Sequence, residues 1–135
     1  MDKTGVAERF AEFYKRIQAF CHQEEIDSND EFNKNNDCDI EPDHKIFSYH
    51  EGDRYIRIQY THKPESCMKG TYSWCWVDKK TGNILRGGWK KPDPLSKTVT
   101  PLNVFDEDYG MRGIEWTGPM YNSELKRTGL TAKIA

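Results

Sequence analysis

Five basic residues, Lys79, Lys80, Arg86, Lys90 and Lys91, interleave with Trp76 and Trp89 in this 135-residue chain. Cationic side chains pair with phosphates and indole rings stack on bases, so the mixture suits single-stranded nucleic acid. Turns and exposed strand faces are also rich in lysine. The formal net charge is −2, whereas nucleic-acid modules are usually strongly basic. The favoured reading is therefore a protein-binding or assembly module without catalysis. Its surface would comprise Lys79, Lys80, Arg86, Gly87, Gly88, Trp89, Lys90 and Lys91. Single-stranded nucleic-acid binding through the same hairpin is the alternative. An enzyme of unknown reaction is the second.

Other chemistry finds weaker support. His44, His50 and His62 precede Cys67, but zinc sites usually show paired ligand spacing, and none is present. They read as polar surface histidines. Between Gln23 and His44 the carboxylates invite a calcium reading. Asp27 and Asn29 fit the EF-hand loop, but no Gly follows Glu31 and no Glu stands at the twelfth position. No Gly-x-Ser-x-Gly motif or phosphate-binding loop occurs. Asp53 and Asp78 fall at neighbouring hairpin ends, a pairing that almost any meander would produce. No catalytic, cofactor-binding or metal residue is assigned, and no cofactor is expected.

The elements that would position these residues centre on a hairpin. Thr71 to Val77 alternates, with Tyr72, Trp74 and Trp76 on one face, which signals a strand. Asp78 to Gly82 is its turn. Gly82 suits a type I turn closed by a G1 bulge, and Asp78 can bond the following amides. Ile84 to Trp89 returns as the second strand. Gly87 and Gly88 mark a bulge or a close approach of another backbone. Trp74 and Trp76 are expected in the core, and Trp89 at its rim.

Upstream, Val6, Phe10, Phe13, Ile17 and Phe20 recur at steps of four and three, predicting an amphipathic helix over 4–22. Residues 23–44 show no period and read as an acidic flexible loop. The stretch 24–43 carries a charge of −8, so a loose loop there could screen the basic hairpin. Ile46 to His50 and Arg54 to His62 read as strands around Glu51-Gly52-Asp53, with Ile56, Ile58 and Tyr60 facing inward. The fold expected is α+β in a single domain. An N-terminal amphipathic helix packs on a four-stranded antiparallel β-meander over 45–91. Residues 92–135 are mostly irregular, with a short edge strand at Ile114-Glu115-Trp116 and a helical turn at Asn122 to Arg127.

The string Val77-Asp78-Lys79-Lys80-Thr81-Gly82 is followed by Trp89-Lys90 and Pro92, then by Asn103-Val104-Phe105-Asp106 and Gly110. This ordered set resembles a family of small uncharacterised proteins of bacteriophages and large DNA viruses. Gly87-Gly88 and the long Trp89-to-Asn103 connection depart from the family pattern. The resemblance implies a viral origin and a shared fold, and brings no catalytic residues. With no secretory leader and no long apolar run, the expected setting is cytoplasmic, in the host cell if the origin is viral, without secretion or membrane contact. Cys21, Cys38, Cys67 and Cys75 are expected as free thiols.

Overall fold

The computed structural model describes residues 3–93 and 102–120. Helix α1 runs from Lys3 to Asn36. The expected end at residue 22 is corrected, and of the loop expected over 23–44 only 37–44 lies outside the helix. Val6, Phe10, Phe13, Ile17 and Cys21 form the buried stripe. The same stripe continues at four-residue steps through Glu25, Asn29 and Asn33. These polar residues are invisible to a scan for apolar periodicity, yet each has a partner. Glu25 is only 7% exposed. The Asn29 and Asn33 side-chain amides both donate to the Ile40 carbonyl, at 2.7 and 2.9 Å. Asp37 then takes a left-handed φ of 48°, and the helix stops. The acidic residues 24–36 are thus held on a helix and are not free to sweep across the hairpin.

Four strands follow: β1 (Ile46–Glu51), β2 (Tyr55–Thr61), β3 (Tyr72–Asp78) and β4 (Ile84–Leu85). They pair antiparallel in the order β1-β2-β3-β4, the meander expected. Phe10, Phe13 and Ile17 of α1 share one core with Ile56, Ile58, Cys75, Val77 and Ile84. Alternation therefore works along β2, where Ile56 and Ile58 face the helix.

It fails along β3. Ile58 pairs with Cys75, but Gln59 pairs with Ser73, so Trp74 is an extra residue. A bulge of this kind breaks the strict alternation of faces. Trp74 joins the helix-side core and meets Phe47 edge-on at 5.6 Å. Trp76 lies outside that core and faces Arg57 across the strands. Both are buried, but they do not share a face with each other as expected.

The β3–β4 turn forms as the sequence suggests. Gly82 has φ 82°, and its amide donates to the Asp78 carbonyl at 2.8 Å. Asp78 Oδ1 accepts from the Lys80 amide at 2.8 Å. The 102–120 segment clasps this turn. Asn103 donates from Nδ2 to the Thr81 carbonyl and to Asn83 Oδ1, at 3.0 and 2.9 Å. The Val104 amide donates to the Gly82 carbonyl at 3.0 Å. A side chain at Gly110 would press on Ile84 Cδ1. Thr81, Gly82, Asn103, Val104 and Gly110 are among the residues that make this clasp. Arg9 fastens the segment to α1, donating to the Val104 carbonyl at 2.7 Å and lying 3.6 Å over the Tyr109 ring.

A short 3-10 turn, Met111–Gly113, precedes β5 (Ile114–Glu115) and β6 (Gly118–Pro119). These two pair with each other in a separate ladder. The expected edge strand at Ile114-Glu115-Trp116 is thus corrected: it does not extend the main sheet. The helical turn expected at Asn122 to Arg127 lies outside the described residues.

Candidate interaction surface

The eight residues proposed as one surface are dispersed. Lys79 and Lys80 stand at the β3–β4 turn. Lys79 Nζ donates to the Gly52 carbonyl at 3.0 Å and lies 3.8 Å from Glu51. Both lysines line a cleft with Val6, Ala7, Glu51, Asp53 and Arg54, near the start of α1. Arg86 donates to the Pro119 carbonyl at 2.7 Å, which ties β4 to β6. At Gly87 a Cβ would sit 2.5 Å from Pro92 Cα. The close backbone approach expected for the glycine pair is therefore found at Gly87. Gly88 has open space around its Cα. Trp89, Lys90 and Lys91 are exposed.

On the sheet face away from α1, Trp89 joins residues that the sequence analysis did not group with it. The Arg57 guanidinium lies 3.8 Å over the Trp89 ring and 5.7 Å from the Trp76 ring. It also donates to the Trp89 carbonyl at 3.1 Å. Trp76 Nε1 donates to the Gly88 carbonyl at 2.9 Å. Arg57 Nε donates to Gln59 Oε1, and Gln59 Nε2 donates to Ser48 Oγ, at 3.1 and 3.2 Å. A polar ladder thus crosses from the Trp89 loop to β1. Strand alternation places Arg57 and Gln59 on the same face, so this ladder was within reach of sequence reasoning. The missing signal was the loop that brings Trp89 back.

Strand β1 is one edge of the sheet. It pairs with β2, and among the described residues nothing pairs with its outer side. The other edge is covered, since the Ile84 amide donates to the Leu102 carbonyl and Asn83 bridges Asn103. Edge strands are usually guarded by lysine, proline, bulges or very short length. The six residues of β1, Ile-Phe-Ser-Tyr-His-Glu, contain neither lysine nor proline. Its pairing with β2 runs without a register shift. Ile46 and Tyr49 are each 50% exposed.

A third cluster joins α1 to the sheet. The buried Glu25 carboxylate accepts from Trp116 Nε1 at 2.8 Å and from the Lys45 amide at 3.1 Å. Its other oxygen lies 2.9 Å from His44 Nδ1. Lys45 is only 7% exposed. Its ammonium sits 2.8 Å from the Trp116 ring centre and 4.8 Å from that of Tyr60. Beside it, Asp43 Oδ2 accepts from Ser66 Oγ at 2.7 Å, and Asp43 Oδ1 lies 3.5 Å from His62 Nδ1. The His62 side chain is 9% exposed, so the reading of it as a surface histidine is corrected.

Burial pushes the Lys45 amine down from its ordinary 10.5 to about 8, against the opposing pull of Glu25, Cys21 and Asp43. Burial likewise pushes the Cys21 thiol up to about 12. These shifts have opposite consequences. Above about pH 8 the unfolded chain holds a proton that folded Lys45 has released, so raising the pH favours folding. Above the ordinary thiol value of 9.0 the folded Cys21 retains a proton that the unfolded chain loses, so stability falls. Thermal unfolding between pH 8 and 9 should therefore show Lys45→Met losing stability, as the Cys21 and Cys75 thiols begin to ionise in the unfolded chain, while wild type holds or gains by comparison. Equal slopes for the two proteins would mean that Lys45 is not the group responsible.

The carboxylate pair Asp53 and Asp78 divides by role. Asp78 is 4% exposed and is gripped by Arg54 at 3.1 and 3.0 Å. Burial opposes its charge, but the bonds from Arg54, Lys80 and Thr81 outweigh burial and hold its pKa below the ordinary value. It is a turn anchor, whereas Asp53 is exposed. Among the described residues no group of three or more metal-ligating side chains is placed to hold an ion. Among them, too, no helix is long and apolar enough to cross a membrane. All four cysteines are unbridged. No protein-family model, curated protein or solved structure matches the chain.

Proposed function

We propose that this protein is a binding module without catalysis, which takes an extended segment of a protein partner as an added strand on β1. The observation that supports this reading is the outer edge of a six-residue strand, unpaired among the described residues, with Ile46 and Tyr49 half exposed. An incoming strand gains main-chain hydrogen bonds there, and its alternate side chains meet the two faces of the sheet edge. Ile46, Ser48 and His50 would meet one set of those side chains, and Phe47 and Tyr49 the other. The best ligand is therefore an extended peptide with apolar or aromatic residues at every second position. In keeping with the family resemblance, we place this activity in the cytoplasm of a virus-infected host cell.

The test uses peptides selected from a random library on the immobilised protein. Binding is then measured by calorimetry against wild type and an Ile46→Lys/Ser48→Lys double variant. Both positions are exposed and the variant gives up only the exposed bond from Gln59 Nε2 to Ser48 Oγ, so thermal stability should change little. Edge lysines oppose strand addition, and affinity should fall by tenfold or more, an order-of-magnitude expectation for loss of an edge contact. Selected peptides that bind the double variant as well as wild type would overturn the proposal.

A further inference from the structure

We infer that the sheet face opposite α1 is a second and separate binding site, whose ligand is single-stranded nucleic acid held by base stacking on Trp89. Three features of this face lead there. The first is the aromatic surface. Trp89 is 45% exposed, although a ring of its size is normally buried where burial is available. Arg57 covers the ring at 3.8 Å, and the exposed remainder is a platform on which a base can stack.

The second is that the platform is held in place. Arg57 bonds the Trp89 carbonyl, Trp76 bonds the Gly88 carbonyl, and the tight Gly87–Pro92 bridge closes the loop. Tyr55 meets Trp76 edge-on at 6.2 Å beneath. Trp89 is thus fixed before any ligand arrives, so little ordering cost falls on binding.

Charge supplies the third. Lys90 and Lys91 follow Trp89 directly and are exposed. Arg57 adds a third cation on the face itself. Asp78, the acid on the neighbouring strand, is already neutralised by Arg54, and the nearest other acid along this loop is Asp93. The acidic residues 24–36 are confined to α1, which packs on the other face. The net charge of −2 therefore conceals a locally positive surface. Cations beside a stacking ring are what single strands use without sequence preference. A duplex would offer phosphates but no free base face.

The probe is a fluorescein-labelled fifteen-nucleotide oligothymidylate, titrated by anisotropy at low salt, with the matching duplex as control. Wild type should bind the single strand at least tenfold more tightly than the duplex. Trp89→Ala should weaken binding by about tenfold, the order found for loss of one stacked base. Trp89→Phe should recover part of that loss, which separates stacking from damage to the loop. Lys90→Ala/Lys91→Ala should reduce the salt dependence by about 1.4 in the log–log slope, from about 0.7 per phosphate on a single strand. No binding at low salt would overturn the inference. So would equal affinity for single strand and duplex, or binding indifferent to Trp89→Ala. Trp89→Ala leaves β1 untouched and should bind the selected peptides as wild type does, so this site and the β1 edge can fail independently.

Discussion

Phe13→Ala is expected to destabilise the protein by about 3–5 kcal/mol, the usual range for emptying a buried phenylalanine site. Phe13 is fully buried at the centre of the helix-facing core. It stands between Phe10 and Ile17 on α1 and shares that core with Ile56, Ile58 and Trp74. Truncation removes the ring and leaves a cavity that the sheet, pinned by its ladders, can fill only in part. Domains of this size have total stabilities of about 5–15 kcal/mol, so the variant should lie near the limit of folding. Urea denaturation of wild type and variant measures the difference. A loss below about 1 kcal/mol, nearer the ~0.5 kcal/mol of a surface substitution than the cost of a core truncation, would mean that α1 is not docked on the sheet as described.

The second large effect is expected at Glu25. Its carboxylate is the acceptor for Trp116 Nε1 and the Lys45 amide, and it contacts His44. The Lys45 ammonium is nearby and nearly buried. Removing one member of a buried charged cluster strands the others, at a cost of about 3–5 kcal/mol. Glu25→Ala should reach that range. Glu25→Gln retains an acceptor for one donor and loses the charge that faces Lys45, so it should fall between wild type and Ala. Replacing Lys45 with Met in the Glu25→Ala background should restore part of the stability, because the stranded charge is then gone. Chemical denaturation of wild type, Glu25→Ala, Lys45→Met and the double variant completes the cycle. Additive losses for the two sites would show that Glu25 and Lys45 do not act as a unit.

This second prediction also marks where sequence reading stopped. The helix was legible while its buried face was apolar, from Val6 to Cys21. From Glu25 onward the same face is polar, and its partners, Ile40, His44, Lys45 and Trp116, lie beyond the helix, the last of them 91 residues away. Apolar periodicity carries no trace of such partners. The meander was legible because β2 alternates and because Asp78 and Gly82 bear the marks of a turn. The bulge at Trp74 was not, since it is set by the pairing of two strands and not by either strand alone. The candidate surface was half legible. Trp89, Lys90 and Lys91 do form an exposed unit, but Arg86 and Gly87 are consumed by contacts to Pro119 and Pro92. The β1 edge, unpaired among the described residues, becomes visible only once strand order is known. Its sequence signal, a strand without lysine or proline, has meaning only at an edge.

The central claim, that β1 receives an added strand, is tested most directly by residue-resolved amide hydrogen exchange with and without a saturating selected peptide. Strand addition engages the outward-facing amides of β1, so exchange should slow at alternate residues between Ile46 and Glu51. The inward-facing amides, already bonded to β2, should change little, and the amides around Trp89 should be unaffected. Protection that falls elsewhere, or spreads evenly through β1 without alternation, would contradict strand addition at this edge.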